Sequence, residues 1–287
     1  MKKLMFAAVA AAAGGLMAIE SANVVGYQEI PSTCSGIWER GATFNTIAIG
    51  LDGYSIQSIV PQKPAGAENA LEDDAANIAV TDEYGETVEQ YTYFIAGSPA
   101  ATNGQAGWYK WDDDASAYVL ATRTFVRGEA FLYTAPYFYN EATGDDDMPS
   151  TFLTSGEVKT EAKTVTSACS GIWQRYNYRP TPISIQQLIP VPNADAENEL
   201  QDDAANIAVI DEYGETIEQY TYFIDGSPAA TNGQAGWYIW DDGAGAYVRA
   251  TRVFQPGEGF IYTAPYYYNE ATGEDDMPSD LNFADAE

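Results

Sequence analysis

Short β-prone runs separated by turns rich in glycine and acidic residues make up most of this chain. Residues 77–81 and 87–94 are rich in Ile, Val, Tyr and Thr, and a polar turn at residues 82–86 separates them. This composition and spacing are typical of β-strands joined in hairpins. Residues 108–111 and 117–125, with an acidic turn between them, predict a second hairpin. No segment shows a long 3.6-residue period, so the pattern predicts no long helix.

The second half of the chain repeats the first. Residues 73–150 align with residues 202–279 without a gap, and 64 of the 78 aligned positions are identical. Upstream, Cys-Ser-Gly-Ile-Trp occurs at residues 34–38 and again at residues 169–173, so the second copy is six residues shorter between the two aligned blocks. We therefore expect an all-β protein made of two tandem copies of a β-sandwich or open-barrel domain.

The first residues predict export. Lys2 and Lys3 precede an apolar, alanine-rich stretch that is too short to span a bilayer comfortably. This is the pattern of a secretory signal peptide, which we place at residues 1–18. Residues 19–153 and 154–287 are then the two copies of the β domain. We expect an exported protein, extracellular or on the cell surface, with no membrane span in the mature chain.

Positions that differ between the copies predict where side chains lie. Leu120 aligns with Arg249, and such an exchange of apolar for charged is tolerated at an exposed site. Val88 aligns with Ile217 and keeps its apolar bulk, which favours a buried or partly buried site.

Charge and composition exclude several functions. The chain has 42 Asp and Glu against 13 Lys and Arg, a net charge of −29, and no histidine. The negative field repels nucleic acid and anionic membranes and favours divalent or cationic partners. Without histidine there is no Ser-His or Cys-His nucleophile, and zinc loses a favoured ligand. Some carboxylate pair will lie at a hydrolytic separation by chance, but nothing singles one out, so we expect no enzyme.

Acidic turns are the candidate metal site, and calcium is the one cofactor that they suggest. Calcium takes six to eight oxygen ligands, which clustered carboxylates and loop carbonyls supply. EF-hand spacing is not present. The alternative is that these turns are solvated and keep the protein soluble. The candidate calcium ligands are Asp112, Asp113, Asp114, Asp145, Asp146, Asp147, Asp241, Asp242, Asp275 and Asp276.

Aromatic residues suggest a second kind of site. Large rings usually fill the core of a β-sandwich, and we expect this of Trp111 and Trp240. Trp108 and Trp237 follow glycine-rich loops and are expected to be more accessible. Exposed rings beside carboxylates can stack on sugars. The candidate ligand-binding residues are Trp108, Tyr137, Trp237 and Tyr266.

An apolar segment after the signal peptide suggests assembly. Residues 23–30 have the composition of a strand, whereas the aligned residues 158–165 are far more polar. This strand either completes the sheet of its own copy or adds to an exposed edge on the second domain of another subunit. Strand addition of the latter kind builds fibres. The candidate assembly residues are Val24, Val25, Tyr27 and Ile30.

One cysteine occurs in each copy, at the matching positions Cys34 and Cys169. Export allows a disulfide, but matching positions pair only if the two copies meet there. The alternative is two separate buried thiols that pack as small apolar side chains.

Several short motifs carry a family resemblance. They are Ser-Ala-Asn-Val-Val-Gly-Tyr at residues 21–27, Gly-Trp-Tyr at 107–109, Gly-Glu-Ala-Phe at 128–131 and Gly-Glu-Gly-Phe at 257–260. The chain thereby resembles a group of exported tandem β-domain proteins of verrucomicrobia-like bacteria. The full Pro-Gly-Glu-Gly-Phe turn of that group occurs once, because the first copy has Arg127 and Ala130 instead. The resemblance implies export and a β fold, and it implies no function.

Together these features predict a secreted, non-catalytic structural or interaction protein of the cell surface or extracellular matrix. Fibre assembly by strand addition is an option that stays open within this prediction. The alternative is a pair of carbohydrate-binding modules for adhesion or glycan capture. The expected partners are further copies of the chain or surface glycans, and not nucleic acid.

Overall fold

The protein is built from β-strands. A computed structural model describes residues 25–41, 44–45, 53–158 and 164–284. The expected signal peptide lies outside these residues. Within them, helical structure is limited to two single 3-10 turns, Ile56–Ser58 and Ile185–Gln187. The same residues contain no helix that is long and apolar enough to cross a membrane.

The strands follow the internal repeat. The first copy contains β1 (Val25–Ser32), β2 (Gly36–Arg40), β3 (Phe44–Asn45), β4 (Gly53–Ser55), β5 (Val60–Gln62), β6 (Asn77–Thr81), β7 (Thr87–Phe94), β8 (Gly107–Asp112), β9 (Ala117–Leu120), β10 (Thr124–Val126), β11 (Phe131–Ala135) and β12 (Ser150–Val158). The second contains β13 (Thr164–Ser167), β14 (Gly171–Tyr176), β15 (Ile183–Ser184), β16 (Leu188–Val191), β17 (Asn206–Ile210), β18 (Thr216–Phe223), β19 (Gly236–Asp241), β20 (Ala246–Arg249), β21 (Val253–Phe254), β22 (Gly259–Ala264) and β23 (Ser279–Phe283). The strands expected at residues 77–81 and 87–94 are confirmed as β6 and β7, whereas the one expected over residues 117–125 is divided between β9 and β10.

Both copies have the same topology, except that β3 pairs with β12 in the first copy and has no counterpart among the described residues of the second. The large sheet of the first copy has the order β2-β11-β6-β7-β8-β9, and that of the second has the order β14-β22-β17-β18-β19-β20. A smaller sheet forms around β12 in the first copy and around β23 in the second, and a two-stranded sheet joins β4 to β10 and β15 to β21. The sheets are open. The all-β fold predicted from the sequence is confirmed, with two copies of one strand order.

Aromatic side chains fill the space between the large and small sheets. Phe152 of β12 lies with its ring centroid 4.9 Å from that of Tyr133 in β11. Trp108 of β8 packs edge-on against Tyr133 and Tyr93 in the same core. Burial of such rings stabilises the fold, since each one removes a large apolar area from water. The core residues of the two copies form one continuous cluster.

The two expectations from aligned differences have opposite outcomes. Leu120 is exposed, as its alignment with a charged residue predicts. The expectation of burial for Val88 and Ile217 is wrong, because these side chains are 56% and 61% exposed. Both lie near the start of their strand, where the burial pattern is exposed for the first two residues.

The N-terminal strand β1 completes the sheet of its own copy. It pairs with β12 in an antiparallel register that joins Val25 to Glu157 and Ser32 to Ser150. Ile30 is buried in the core. β12 runs to Val158, past the domain boundary expected at residue 153. Of the candidate assembly residues, Val25 and Tyr27 lie in this paired strand, and Val24 lies outside the described residues.

Strand addition to the second domain presumes that its polar residues 158–165 form no counterpart of β1, and this is wrong. Despite its polar sequence, β13 pairs with β23 in the matching place. Backbone hydrogen bonds need no apolar side chains, and Val165 alone in β13 supplies the buried anchor that Ile30 supplies in β1. The second domain therefore does not present the vacant edge on which strand addition was based.

The two copies pack against each other about a pseudo-two-fold axis. In one direction Ile37 of β2 donates its backbone N–H to the carbonyl of Glu212, at 2.8 Å. In the other, Ile172 of β14 donates to Glu83, also at 2.8 Å. Gly36 precedes the first contact with a φ of +124°, and a Cβ there would lie 2.6 Å from the carbonyl oxygen of Glu212. Each hairpin tip thus caps the sheet edge of the other copy, and glycine permits the approach.

Residues that are aligned in the sequence meet at the axis itself. Glu39 of the first copy faces Gln174, which occupies the same place in the second copy. Gly41 likewise faces Tyr176, whose ring fills the space where a Cβ of Gly41 would lie. Burial raises the pKa of the Glu39 carboxyl to about 8, and the Gln174 amide and Arg40 oppose part of this rise. Among the described residues, the Glu39 oxygens have no hydrogen-bond partner of good geometry.

We expect Glu39→Gln to raise the free energy of unfolding at alkaline pH. The carboxyl ionises near pH 4.5 in the unfolded chain and near pH 8 in the folded one. Its contribution to stability is therefore fully present below the lower value and is lost as the pH rises through the higher one. Glutamine does not ionise, so the variant should lack this decline. Urea unfolding at about pH 5 and about pH 9 measures the difference.

The matched control is Gln174→Glu, which places a second carboxyl beside Glu39. Two buried carboxyls repel when both are ionised, and the folded state must therefore keep protons that the unfolded chain has lost, so this variant should lose stability more steeply with pH than the wild type. Equal pH slopes in the wild type and in Glu39→Gln would contradict the prediction.

Candidate functional site

A tyrosine-lined cleft follows strand β11. Side chains alternate along this segment, so that Phe138 is fully buried while Tyr137 and Tyr139 face outward. Tyr137 remains 47% exposed. The centroids of the two tyrosine rings are 6.0 Å apart and their planes are inclined by 35°. The rings form one wall of the cleft, which has a volume of about 300 Å³.

The amide of Asn69 fixes the backbone that carries these rings. Its Nδ2 donates to the carbonyl of Tyr137 at 2.9 Å, and its Oδ1 accepts from the N–H of Tyr139 at 3.0 Å. One side chain thus takes the place of a neighbouring strand. Since both backbone groups are paired, the rings are held in position before any ligand arrives.

Acidic and amide groups form the opposite wall. The hydroxyl of Tyr137 donates to Asp146, and this hydrogen bond raises the pKa of the tyrosine. Asn140 and Asp145 exchange backbone hydrogen bonds across the loop. Glu141 adds a further exposed carboxylate beside them. The cleft therefore combines two apolar ring faces with several hydrogen-bond acceptors.

The second copy repeats the cleft almost atom for atom. Tyr266 and Tyr268 have ring centroids 6.0 Å apart and an inclination of 34°. The amide of Asn198 makes the same two hydrogen bonds as Asn69, at 2.9 and 3.0 Å. The volume is about 340 Å³. The remaining lining residues are Asn269, Glu270, Gly273, Glu274 and Asp275.

The expected accessibilities of the tryptophans are reversed. Trp108 and Trp237 are fully buried, so neither can serve as a ligand platform, and the prediction for them is wrong. Trp111 and Trp240, expected in the core, are 49% and 51% exposed. Only the first half of the strand lies over the core, and the exposed indoles stand near the hairpin tip.

Long-range hydrogen bonds explain the burial of Trp108. Its indole Nε1 donates to the carbonyl of Ile59 at 2.7 Å. The side chain of Gln57, carried on the 3-10 turn, accepts from the N–H of Trp108 at 3.0 Å and donates to its carbonyl at 2.8 Å. The glycine-rich loop before this tryptophan delivers it to the core, whereas the sequence pattern suggested that the loop exposed it.

The candidate calcium ligands are used within their own turns and at strand starts. Asp112 accepts from the N–H of Ala115, and Asp113 accepts from the indole of Trp111. Asp147 accepts from both the N–H and the hydroxyl of Ser35. Across the part of the chain that the structure describes, no three such residues are grouped so that they could hold a metal ion. Calcium binding therefore stays a prediction from the sequence.

Both cysteines are free and partly buried thiols. Cys34 lies near Glu212 and Cys169 near Glu83, so each belongs to one of the two symmetric contacts between the copies. Burial raises the pKa of both thiols, which lowers their reactivity.

Sequence reasoning missed Tyr139, Asn69 and Asn140. The alternation Tyr-Phe-Tyr was a signal for the first of these, because it places two rings on one face. Nothing in the sequence identifies Asn69, since its partners lie 68 and 70 residues further along the chain.

Comparison with protein-family models, curated proteins and solved structures finds no match. The site must therefore be interpreted from its own chemistry.

We expect Asn69→Ala to destabilise the first copy by about 1–3 kcal/mol, because it removes two hydrogen bonds that each contribute roughly 0.5–1.5 kcal/mol. Asn198→Ala should cost the same, since its contacts are the same. Asn69→Asp keeps the acceptor but sets a carboxylate oxygen against the carbonyl of Tyr137, so its loss should be at least as large. Chemical unfolding measures all three, and an unchanged midpoint for Asn69→Ala would show that the amide does not hold the tyrosine segment.

We expect millimolar calcium to raise the melting temperature more than sodium at matched ionic strength if the acidic turns form specific sites. A ligand that binds only the folded state stabilises it by mass action. Sodium is the control because any salt screens repulsion in a chain of charge −29. Equal midpoints in the two salts would rule out a specific calcium site.

Proposed function

We propose that this protein is an exported, non-catalytic carbohydrate-binding protein with one glycan site in each copy. The observation that carries the proposal is the duplicated cleft of Tyr137 and Tyr139, which recurs at Tyr266 and Tyr268 with the same ring geometry. Export is supported by the N-terminal sequence, in which Lys2 and Lys3 precede an apolar stretch.

The chemistry of the cleft suits sugars. A sugar ring has apolar C–H faces that pack on aromatic rings, and hydroxyl groups that need hydrogen-bond partners at the edge. Tyr137 and Tyr139 provide the first, while Asp145 and Asp146 provide acceptors for the second. The carboxylates would repel uronic acids and sulfated sugars, so the expected ligands are neutral or basic glycans.

Binding without catalysis fits the shape of the cleft. It is shallow and open, whereas hydrolysis of a glycoside requires two carboxyl groups placed on either side of an enclosed bond. The chain also lacks histidine.

Glycan capture fits the observed pairing of β1 better than fibre assembly does. Strand addition needs a free donor strand, and β1 is paired along its length with β12. The notion of a fibre-forming matrix protein stays a prediction, for which no feature of the described residues supplies a mechanism.

Two equal sites in one chain predict avidity. A polymeric glycan that engages one cleft raises the effective concentration of sugar at the other, so binding to a surface exceeds binding to a free oligosaccharide. This property suits adhesion or retention of polysaccharide at a cell surface.

We expect Tyr137→Ala combined with Tyr266→Ala to abolish binding to immobilised glycans. The array should contain neutral, amino-sugar and uronic-acid oligosaccharides, and only the first two classes should retain the wild-type protein. Either single variant should keep one site and lose only avidity, a drop of about tenfold or more on a dense surface. Both tyrosines are half exposed, so the fold should persist.

The matched control removes Tyr84 and Tyr213, which are 76% and 77% exposed at hairpin turns and line neither cleft. This pair should bind as the wild type does. Failure of the wild-type protein to bind any glycan on the array, or equal loss in the control, would overturn the proposal.

A further inference from the structure

The two tyrosine clefts carry an excess of negative charge. Each cleft is lined by three exposed carboxylates, which are Glu141, Asp145 and Asp146 in the first copy and Glu270, Glu274 and Asp275 in the second. No lysine or arginine is among the described residues that line either cleft. Both clefts therefore present carboxylates that no cation of their own lining balances.

These carboxylates keep oxygens available to a ligand. Asp146 accepts from the hydroxyl of Tyr137 through one oxygen, and Asp145 accepts from the hydroxyl of Thr143 through one oxygen. Among the residues that the structure describes, the second oxygen of each accepts no hydrogen bond, and neither does the carboxylate of Glu141. All three side chains are exposed to solvent, so a ligand in the cleft can reach them.

The carboxylates act on a ligand through their combined field. Across the described part of the chain, no three of them are grouped so that they could hold a metal ion. Their effect is already present at the neighbouring tyrosine. The hydrogen bond to Asp146 raises the pKa of Tyr137, and the charges of Asp146 and Asp147 add to this rise. Such a field attracts a cationic group that is larger than a bare ion and spreads over the cleft.

The aromatic wall of each cleft also favours a cation. An aromatic ring attracts a positive charge that lies over its face. In the described chain five arginines lie over aromatic rings, at 4.9–5.8 Å from the ring centroid. None of these five contacts involves a tyrosine of the clefts. The cleft rings thus have no cationic partner from the described chain, although other rings do.

We propose that each tyrosine cleft selects sugars that carry a protonated amino group, as the units of a glucosamine polymer do. The ammonium group lies among the carboxylates, and the C–H face of the sugar packs on the tyrosines. The two rings, with centroids 6.0 Å apart, form a wall broad enough for a flat sugar ring, whereas the methylene chain of a lysine covers one ring only. This inference rests on the proposed glycan-binding function and narrows its ligands from neutral or basic sugars to cationic ones.

Calorimetric titration of the mature chain with three tetrasaccharides tests the selection. They share one linkage and one ring stereochemistry, and they differ only in the group on the second carbon: an amino group in tetraglucosamine, an acetamido group in tetra-N-acetylglucosamine and a hydroxyl in cellotetraose. At about pH 6 carboxylates are ionised and amines are protonated. Tetraglucosamine should then bind at least about tenfold more tightly than either neutral probe.

The outcomes separate this inference from the glycan proposal. Equal affinity for all three tetrasaccharides would overturn the inference and leave the glycan proposal intact. Failure to bind tetraglucosamine would overturn it as well, and only a blank glycan array would overturn the glycan proposal with it.

The preference should disappear at about pH 9, because an amine beside electron-withdrawing groups, like the α-amino group of a chain, loses its proton near about pH 8. Tyr137, whose pKa is raised, stays protonated over this interval. Cellotetraose carries no titrating group, so its affinity controls for changes in the fold, including ionisation of Glu39, which has a pKa of about 8. A preference that persists at the higher pH would contradict the role of the ammonium charge.

Exposed residues at the rim locate the site without threatening the fold. Glu141→Gln combined with Glu270→Gln removes one charge from each cleft and should weaken tetraglucosamine binding by about two- to fivefold, with little change for cellotetraose. The matched control is Glu86→Gln with Glu215→Gln, which removes the same charge from aligned, exposed turns that line neither cleft. Equal weakening by the two pairs would show that the sugar responds to the net charge of −29 and not to the clefts, and the inference would be wrong.

Two further results decide where and what the clefts bind. Tyr137→Ala combined with Tyr266→Ala should abolish tetraglucosamine binding, and retained binding would place the sugar elsewhere on the acidic surface, against the inference. Tetralysine carries ammonium groups without sugar rings and should bind more weakly than tetraglucosamine. Equal affinity for tetralysine would show that the clefts select cations of any kind, and the selection of amino sugars would be wrong.

Discussion

When two copies of one domain pack about a two-fold axis, each residue at the axis must pack against its own counterpart. Two glutamates there would bury two carboxyls together, and two tyrosines would compete for one space. In this chain Glu39 contacts Gln174, and Gly41 contacts Tyr176, so the two members of each aligned pair are complementary. Covalent linkage of the copies permits this, because linked copies can differ where identical subunits cannot. The hydrophobic core is continuous between the two copies.

The packing of the two copies also covers one outer strand of each large sheet. Strands β2 and β14 are the outer strands of their large sheets, and exposed outer strands tend to pair with other chains. Here each one is met by the hairpin tip of the other copy, through Glu212 and Glu83. The sequence of β2 carries no sign of this protection, since it is short, glycine-led and otherwise ordinary. Protection comes from the arrangement of the copies, which is why strand addition at these edges has no support in the geometry.

Features that depend on neighbouring residues could be predicted from the sequence, whereas features that depend on distant residues could not. The bounds of β6 and β7 follow from local composition, and the repeat follows from alignment of the two halves. The reversal of Trp108 and Trp111 does not, since it depends on Ile59 and Gln57, which reach the strand from 49 and 51 residues away. The tyrosine cleft could be predicted in part: Tyr137 was a candidate from the sequence, but the Asn69 amide that holds its backbone was not. Pairing of the polar β13 was missed because backbone hydrogen bonds need little help from side chains.

Where the copies agree and where they differ points to two different constraints. In the tyrosine cleft the only change among the lining residues is Asp145 to Glu274, which preserves charge. The two clefts thus keep the same chemistry, within a repeat in which 64 of the 78 aligned positions are identical. Where the two copies meet, the second copy has Pro256 and Gly259 in place of Arg127 and Ala130. A residue there faces a different neighbour in each copy, so packing allows the two copies to differ. Each cleft has the same neighbours in both copies, and no such difference in packing acts on its residues.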